Sequence, residues 1–385
     1  MRQAWRERRK LDSASGKVLR DMAITIENIP TPAVIIDEQV AMRNVRKLAD
    51  YAAKHNLKVR PHTKTHKSVR MAKAQLAAGA AGLTVAKVGE AEVMIEAGDD
   101  ILIAYPALDP ARTGRIAQLA KGRTVRLAVD SALAAEALGA AARSAGVTLG
   151  VLVDVDTGFH RTGVQSPEAA LALAQLVDRT NGLRLDGLFT FPGHLRGPGF
   201  VDTNPLTFVQ QHLAESIALL KQHGLRVDIV SGGSTPSAYH AHLVPAYTEI
   251  RPGTYIYNDM NTVYSGACTL DEVAAKVVCT VISDAVPDKV VLDGGTKTFT
   301  SDRNGPRPDS GHGYVVGYPE AKFVRLSEEH GEVDLSQCTK RPKLGDRVEV
   351  IPNHVCPCIN LHDASWLRTG GELVRLPTDA RGRIS

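Results

Sequence analysis

The sequence lacks long hydrophobic runs, and it contains few cysteines. No stretch of about 18 uncharged apolar residues occurs in the 385 residues, so we expect no membrane span. The chain contains five cysteines, so they cannot all pair in disulfides, and all of them lie in its last third. This distribution excludes a disulfide-rich framework and fits a reducing compartment, so the predicted localisation is cytoplasmic.

Excess charge is also absent from most of the chain. The 46 Lys and Arg residues exceed the 42 Asp and Glu residues by four, and residues 1–21 hold seven of the former and three of the latter. This segment therefore carries the whole excess, and a nucleic-acid-binding body is not expected. Residues 1–21 are interpreted as a basic extension without regular structure, and no apolar segment typical of a secretory signal follows them.

From residue 33 onward, short β-branched runs alternate with amphipathic helical segments. This alternation is typical of a parallel sheet wrapped by helices. After the run AVIID and a first helix, eight strand candidates follow at the spacing of βα units, namely 57–60, 83–86, 101–104, 125–129, 150–154, 185–190, 227–231 and 249–251. Eight such repeats predict a (β/α)8 TIM barrel. An open doubly wound sheet is the alternative, and it is less favoured because no GxGxxG turn follows an early strand.

The residue pattern of the sequence changes after about residue 265. Short apolar runs such as VVCTVIS, DRVEVIP and ELVRLP are there interrupted by Gly, Pro and Asp. These runs predict a separate antiparallel β domain of about 120 residues. The expected organisation is an extension over 1–21, a barrel over 22–262 and a β domain over 263–385.

The segment RPHTKTHK at 60–67 follows the first barrel strand candidate. Active sites of such barrels lie at the carboxyl ends of the strands. Lys64 stands there among Arg60, Lys67 and two histidines, and like charge with partial desolvation is expected to lower the pKa of its amine. Such an amine suits Schiff-base chemistry. The alternative interpretation is a basic surface turn.

Two turns rich in glycine and hydroxyl groups follow the seventh and eighth strand candidates. Their residues are Ser231, Gly232, Gly233, Ser234 and Thr235 in the first turn, and Gly253 and Thr254 in the second. Barrels commonly bind a phosphate at this position, although tight turns that need positive φ have the same composition. A lysine that forms an imine and a site for one phosphate together match the requirements of pyridoxal 5'-phosphate (PLP).

Two arginines near these segments are further candidates for binding such a cofactor. Arg251 ends the eighth strand candidate and can face the pyridine nitrogen, which a cation keeps unprotonated. Arg161 can reach the phenolic oxygen or a substrate carboxylate, and the alternative for it is an ordinary surface ion pair.

The segment PNHVCPCINLHD at 352–363 contains candidate metal ligands. In an extended segment, residues i and i+2 share a face, so His354 and Cys356 can converge on one ion, with Cys358 next along that face. An imidazole and a thiolate suit Zn²⁺ better than Mn²⁺ or Mg²⁺, and two protein ligands leave positions open for catalysis. The alternative is a buried strand with a hydrogen-bonded histidine and apolar cysteines.

Taken together, these segments resemble a known family. RPHTKTHK, FPGH, VSGGSTPS, RPGTYIYND, LDGGTKTFTSD, SEEHG and PNHVCPCINLHD resemble, in order and spacing, the D-serine dehydratase and D-threonine aldolase family, whose barrel is shared with alanine racemase. The resemblance implies that Lys64 is the Schiff-base lysine, that Arg161, His194, Arg251 and both turns contact the cofactor, and that His354 and Cys356 hold the metal. It also implies a head-to-tail homodimer, in which the β domain of one subunit completes the site of the other.

The resemblance further implies a substrate and a reaction. The substrate is a D-amino acid with a β-hydroxyl group, and the family contains both dehydratases and aldolases. The motif His-x-Cys favours dehydration to a 2-oxo acid and ammonia. The aldolases of the family mostly carry the motif His-x-Asp instead, whose oxygen ligand suits Mn²⁺ or Mg²⁺. The alternative is cleavage to glycine and an aldehyde. Phe191 departs from the family, since several members carry a tyrosine there.

Two alternative functions belong to other functional classes. An amino-acid racemase shares the barrel and the lysine, but it needs a second base and has no use for the His-x-Cys pair. A non-catalytic PLP carrier built on this barrel would consist of a single domain, which the roughly 120 further residues disfavour.

Overall fold

The structure, a computed structural model, describes residues 24–197, 199, 205–303 and 310–385. The proposed basic extension at 1–21 lies outside the described residues. A first sheet consists of eight parallel strands, and each of them falls within one residue or two of a predicted strand. They are β2 (Lys58–Val59), β3 (Leu83–Val85), β4 (Asp100–Ile103), β5 (Thr124–Val129), β6 (Leu149–Asp154), β7 (Leu183–Phe189), β8 (Ile229–Gly232) and β9 (Glu249–Ile250).

The eight strands form a TIM-type barrel, which confirms the predicted fold class. Each strand from β3 to β9 pairs with its sequence neighbour, and β9 returns to pair with β2. Main-chain hydrogen bonds also join the segments of β2 and β3, from Ala81 N to Val59 O at 2.8 Å and from Thr84 N to Pro61 O at 2.9 Å. A small apolar cluster of Leu102, Ala128, Leu152 and Phe189 fills part of the interior.

Helices separate the strands as the periodicity predicts. They are α1 (Glu38–Lys54), α2 (Val69–Ala77), α3 (Val88–Met94), α4 (Pro110–Leu119), α5 (Ala132–Ala145), α6 (Pro167–Arg179) and α7 (Pro205–Gln222). In α1 the apolar stripe of Ala41, Val45, Leu48 and Ala52 is buried, and the Asp37 side chain caps the helix by accepting from Val40 N at 3.0 Å. None of the helices in the described ranges is long and apolar enough to cross a bilayer.

A second sheet of nine strands contains β1 (Ala33–Asp37), which precedes the barrel, and eight strands that follow it. These eight are β10 (Ala275–Ser283), β11 (Lys289–Leu292), β12 (Gly313–Val315), β13 (Lys322–Leu326), β14 (Gly331–Asp334), β15 (Arg347–Pro352), β16 (Ala364–Thr369) and β17 (Glu372–Pro377). All pairs are antiparallel except β1 with β16, which is parallel. Three short helices, α8 (Met260–Tyr264), α9 (Thr296–Phe299) and α10 (Val355–Leu361), accompany this sheet.

The position of β1 differs from the predicted domain boundary. The sequence pattern predicts that residues from 22 onward belong to the barrel, whereas β1 pairs with β10 and β16 of the second sheet. An apolar strand followed by a helix has the same local pattern in either sheet, so only the distant partners decide where it lies. The second domain therefore includes a strand from the start of the described chain.

Candidate active site

Two cavities meet at Lys64, at the carboxyl end of β2. The barrel cavity, of about 640 Å³, is lined mainly by residues at the carboxyl ends of the strands. The interdomain cavity, of about 410 Å³, is lined by barrel loops, α8, and by Asp302 and His354 of the second domain. Lys64, Phe191, Ser234, Pro236 and Thr254 line both cavities. Lys64 thus lies where a molecule in one cavity can react with a molecule in the other.

The loop that carries Lys64 is held by buried hydrogen bonds. The Thr63 hydroxyl donates to Glu90 Oε1 at 2.6 Å, and Thr63 N donates to Thr84 O at 2.8 Å. His62 lines the barrel cavity, and burial together with the nearby charges of Lys64 and Arg251 holds its pKa well below its usual value. His62 is therefore a neutral imidazole at the base of the site.

The structure divides the predicted phosphate turns into two groups. Ser234, Thr235, Gly253 and Thr254 line the barrel cavity. Ser231 and Gly232 do not line it, and their contact with a cofactor stays a prediction. The Ser231 hydroxyl is buried and bonded to Glu249 at 2.6 Å, and a Cβ on Gly232 would lie 2.1 Å from the Tyr247 ring. Gly233, at φ +76°, turns the backbone toward Ser234 but does not itself line the cavity.

Arg251 lies at the wall of the barrel cavity and is 4 % exposed. Its guanidinium donates to Ser231 Oγ at 2.8 Å and to Thr190 O at 2.6 Å, and it lies 3.7 Å from the centre of the Phe189 ring. Burial lowers the pKa of Arg251 to about 10, so the group remains a cation at neutral pH. The Ser231 side chain therefore orients an arginine, whereas the sequence had suggested a phosphate contact.

Arg161 and Phe191 form another part of this wall. The Arg161 guanidinium lies 4.6 Å from the centre of the Phe191 ring, and Lys64 Nζ lies 5.9 Å from the same ring. Phe191 thus stands against both cations, at the position where several family members carry a tyrosine. Asp154 also lines the barrel cavity, and burial raises the pKa of its carboxyl to about 6.

His194 lines neither of the two cavities, and its contact with a cofactor stays a prediction. Hydrogen bonds from Gly193 N to Phe191 O and from Leu195 N to Pro192 O turn the FPGH segment back on itself. The His194 ring is exposed and lies parallel to the Phe159 ring, with 6.4 Å between centres. The motif therefore contributes Phe191 and Gly193 to the cavities, and its histidine faces solvent.

The barrel cavity fits PLP in size and chemistry. Its volume lies within the usual range for small-molecule sites, about 300–1,000 Å³. It presents the Lys64 amine, hydroxyls at Ser234, Thr235 and Thr254, and the Arg251 cation. An amine for the aldehyde, hydroxyls for the phosphate and a buried cation for the ring are the groups that this cofactor needs.

The candidate metal ligands His354 and Cys356 lie at the start of α10. The spacing of these residues predicts an extended segment, whereas His354 is the residue before the helix and Cys356 belongs to its first turn. The two side chains nevertheless interact directly. Cys358 does not join them, because its thiol donates to Thr298 O of α9 at 3.2 Å. The pair was thus predicted, and its backbone conformation was predicted wrongly.

Asp302 and Asp259 surround this pair. Asp302 Oδ2 lies 2.9 Å from His354 Nδ1, and Asp259 Oδ2 accepts from Val355 N at 3.0 Å. Burial acts to lower the pKa of His354, but Cys356, Asp259 and Asp302 outweigh it and raise the pKa to about 9. Burial acts to raise the pKa of Cys356, but His354 and Lys64 outweigh it and lower the pKa.

These residues fit a metal site with two protein ligands. Asp302 occupies His354 Nδ1, which leaves Nε2 as the nitrogen available to a metal, and a carboxylate on the other ring nitrogen is the usual support for a histidine ligand. The pKa of Cys356 favours the thiolate that a metal binds. In the described part of the chain, no group of three or more His, Cys, Asp or Glu side chains is arranged to hold a metal.

Four residues of this site are not among those predicted from the sequence: His62, Asp154, Asp259 and Asp302. His62 lies within the RPHTKTHK segment, so its proximity to Lys64 was a usable signal. Asp302 lies 52 residues before His354, and no spacing rule connects the two. Asp154 ends β6, where the barrel fold itself predicts functional groups.

Comparisons with known proteins agree with this geometry. The family model described as "Alanine racemase, N-terminal domain" matches residues 36–261, and the one described as "Putative serine dehydratase domain" matches residues 274–367. A D-threonine aldolase from Arthrobacter sp is 31% identical over 91% of this chain and 94% of its own length. A D-threo-3-hydroxyaspartate dehydratase from Delftia sp. (strain HT23) is 33% identical over 87% and 93%, respectively.

A solved structure agrees with these matches. It is a D-threo-3-hydroxyaspartate dehydratase whose cysteine-to-alanine variant is in a metal-free form, with a TM-score of 0.86, 30% identity, and coverage of 92% of this chain and 99% of that one. Sequence and fold are thus shared over both domains. The chain therefore belongs to the family of PLP-dependent lyases that join an alanine racemase-type barrel to a serine dehydratase domain.

Proposed function

We propose that the chain is a PLP- and metal-dependent lyase for D-amino acids with a β-hydroxyl group, and that it acts mainly as a dehydratase. The observation that carries this proposal is the position of Lys64 between the two cavities. One cavity has the hydroxyls and the cation that suit PLP, and the other is lined by His354, whose side chain interacts with the buried Cys356. A substrate attached in the first cavity can extend its β-hydroxyl into the second.

The barrel cavity would hold the cofactor through four sets of contacts. Lys64 would attach the aldehyde, Ser234, Thr235 and Thr254 would receive the phosphate, and Arg251 and Arg161 would meet the ring and its substituents. When bound, PLP serves as an electron sink for the bonds to the substrate α-carbon. Arg251 remains a cation, so it disfavours protonation of any basic nitrogen that it faces.

The interdomain cavity would hold the metal on His354 and Cys356. When bound, a divalent metal serves as a Lewis acid toward the β-hydroxyl. The nitrogen and sulfur ligands favour Zn²⁺, and Mn²⁺ or Mg²⁺ are the alternatives. The dehydratase whose cysteine variant is metal-free supports a cysteine ligand in this branch of the family.

Lys64 is the residue that would move the proton. Its amine lines both cavities, so it is within reach of the substrate α-carbon and would remove the proton from it. Loss of the β-hydroxyl then leaves an enamine, and hydrolysis of the enamine yields a 2-oxo acid and ammonia. His62, which is neutral and lies beside the Lys64 main chain, adds no positive charge to the site.

Aldol cleavage to glycine and an aldehyde is the second candidate. The D-threonine aldolase from Arthrobacter sp covers 91% of this chain, so similarity alone supports both reactions equally. The same residues serve both, and the difference is which bond of the α-carbon breaks. Cys356 favours dehydration, because most aldolases of the family carry an aspartate in place of this cysteine.

The proposal includes the assembly and the compartment. A head-to-tail homodimer, in which the second domain of the partner closes the site, fits a lysine that lies between two open cavities. A cytoplasmic location is supported by the cysteines, because none of the five forms a disulfide.

The deciding experiment incubates the purified holoenzyme with D-serine and with D-threonine. Dehydration yields pyruvate or 2-oxobutyrate, whereas cleavage of D-threonine yields glycine and acetaldehyde. We expect the 2-oxo acids to predominate. Glycine as the main product would overturn the dehydratase assignment and leave the lyase assignment intact.

Two variants test the roles of the residues. Lys64→Ala should abolish the visible imine absorbance and lower kcat by at least about 10³-fold, because attachment of the cofactor and proton removal are both lost. Cys356→Ala should lose activity in parallel with bound metal, measured by elemental analysis. Imine absorbance that persists in the Lys64 variant, or activity that a chelator leaves unchanged, would contradict the proposal.

A further inference from the structure

The sulfur of Cys356 is enclosed by side chains from three parts of the chain. Thr65 Oγ1 lies 3.1 Å from it, and Thr254 Oγ1 lies 3.6 Å from it. His354 contacts it from the start of α10. Thr65 is fully buried and directly follows Lys64, and Thr254 belongs to the second hydroxyl turn of the barrel cavity. The sulfur of one candidate metal ligand therefore contacts both the loop that carries Lys64 and the hydroxyl-bearing turn that contains Thr254.

We infer that Thr65 is a positioning residue, which fixes the Cys356 sulfur as a metal ligand and ties the metal to the loop that carries Lys64. The inference rests on the proposed metal site. A sulfur bound to a metal has no proton and can only accept a hydrogen bond, so the Thr65 hydroxyl must be the donor. Donors of this kind orient a ligand, and their loss typically weakens metal binding about 10–100-fold.

The surroundings of Thr65 leave its hydroxyl little freedom. Thr63 is bonded to Glu90 and to Thr84, and Lys67 pairs with the C-terminal segment through Ala380 N to Lys67 O at 3.0 Å. On the other side, a Cβ on Gly253 would lie only 3.0 Å from Thr65 Oγ1. A loop fixed at both ends and packed against a backbone holds the donor in place.

Thr63 is a matched control for Thr65. Both threonines flank Lys64 in the same loop, and both are fully buried. The Thr63 hydroxyl bonds to Glu90 and to Thr84 O, whereas the Thr65 hydroxyl contacts the sulfur. A substitution at either position disturbs the loop, but only the substitution at Thr65 removes a contact with a metal ligand.

The test measures Zn²⁺ affinity in the holoenzyme after metal removal, by competition with a chromophoric chelator that absorbs outside the cofactor bands. Thr65→Val should weaken Zn²⁺ binding about 10–100-fold. Thr65→Ser keeps the hydroxyl and should bind within about threefold of the parent. Thr63→Val disturbs the loop without removing a contact with the sulfur, so it should weaken Zn²⁺ binding less than Thr65→Val does. Parental affinity in Thr65→Val, or equal weakening in Thr63→Val, would overturn the inference.

Two further measurements keep the outcomes separate. Thr65→Ala replaces the valine variant if the latter does not fold, and the same weakening is expected from it. Cys356→Ala tests the metal site itself. If it binds Zn²⁺ as tightly as the parent, the proposed metal site fails. If it loses Zn²⁺ while Thr65→Val and Thr65→Ala do not, only the role of Thr65 fails.

Discussion

Asp154 is a carboxyl group that the fold holds away from water. It is 5 % exposed, and its only hydrogen-bond donor among the described side chains is Thr162, at 2.8 Å. Burial raises its pKa from 3.8 to about 6. The folded protein therefore binds this proton more tightly than the unfolded chain does, so the free energy of unfolding falls as the pH rises from about 4 to about 6.

Asp154→Asn should remove this dependence. In the cofactor-free protein, the free energy of unfolding of the variant relative to the parent should rise by up to about 3 kcal/mol between pH 4 and 6, since each pKa unit corresponds to about 1.4 kcal/mol. Denaturant unfolding at a series of pH values measures this difference. The control is Asp178→Asn, an exposed residue of α6. A difference that is flat with pH, or equal in the control, would contradict the assignment.

The site residues show what the sequence could predict at this scale. Lys64, Arg161, Arg251 and His354 were predicted from motif and position, and all four line the cavities. Ser231 and His194 come from equally characteristic motifs and do not. A motif places a residue near the site along the chain, but neighbours such as Glu249, which no local pattern connects to Ser231, decide where its side chain points.

At the scale of elements, β7 contains an irregularity that depends on one glycine. The register with β6 shifts between Leu185 and Gly187, so that Asp186 is extra in the ladder. The Asp186 carboxylate accepts from Arg126 at 2.8 Å and from Arg184. Gly187 has φ +145°, and a Cβ there would lie 1.9 Å from Ile229 O of β8. The bulge therefore requires glycine.

Gly187→Ala should cost at least about 3 kcal/mol of stability or prevent folding, because the methyl group would overlap a backbone oxygen of the next strand. Thermal and denaturant unfolding measure this loss. Gly224→Ala is the control: its φ is +71°, but a Cβ there meets nothing within 4 Å. Its expected cost is only about 1–2 kcal/mol of backbone strain. Equal losses in both variants would contradict the role of the clash.

α10 shows why the metal segment was misread. The sequence from His354 to Leu361 has a proline at its third helical position and no clear amphipathic period, so the alternation of His354, Cys356 and Cys358 suggested a strand. The helix begins where Asp259, almost one hundred residues earlier, accepts from Val355 N. A helix of seven residues depends on such tertiary contacts, and sequence patterns do not contain them.

At the scale of the whole molecule, residues 1–21 carry the entire net positive charge. Their deletion should leave equal numbers of acidic and basic residues and abolish binding to a cation exchanger at neutral pH, since the excess of four charges is removed. The kcat/KM should not change, because none of the described site residues lies in that segment. Ion-exchange elution and steady-state kinetics measure both quantities.

A longer deletion is the control. Removal of residues 1–29 also removes Ile29, which is buried, and the carbonyl oxygens of Ile26 and Ile29, which accept from Arg347. This variant should have a lower Tm than the shorter deletion. If the shorter deletion already lowers kcat/KM, the basic segment contributes to function and the prediction is wrong.

The position of β1 also has a consequence for how the chain is made. Ala33 pairs with Val278 and Ile35 with Trp366, so β1 has no partner until most of the protein has been synthesised. All eight barrel strands are complete by Ile250. A nascent chain that stops after the barrel therefore presents an unpaired apolar strand, and unpaired strand edges promote aggregation. Chains that end after residue 250 and before β10 should therefore be insoluble rather than form a free barrel domain.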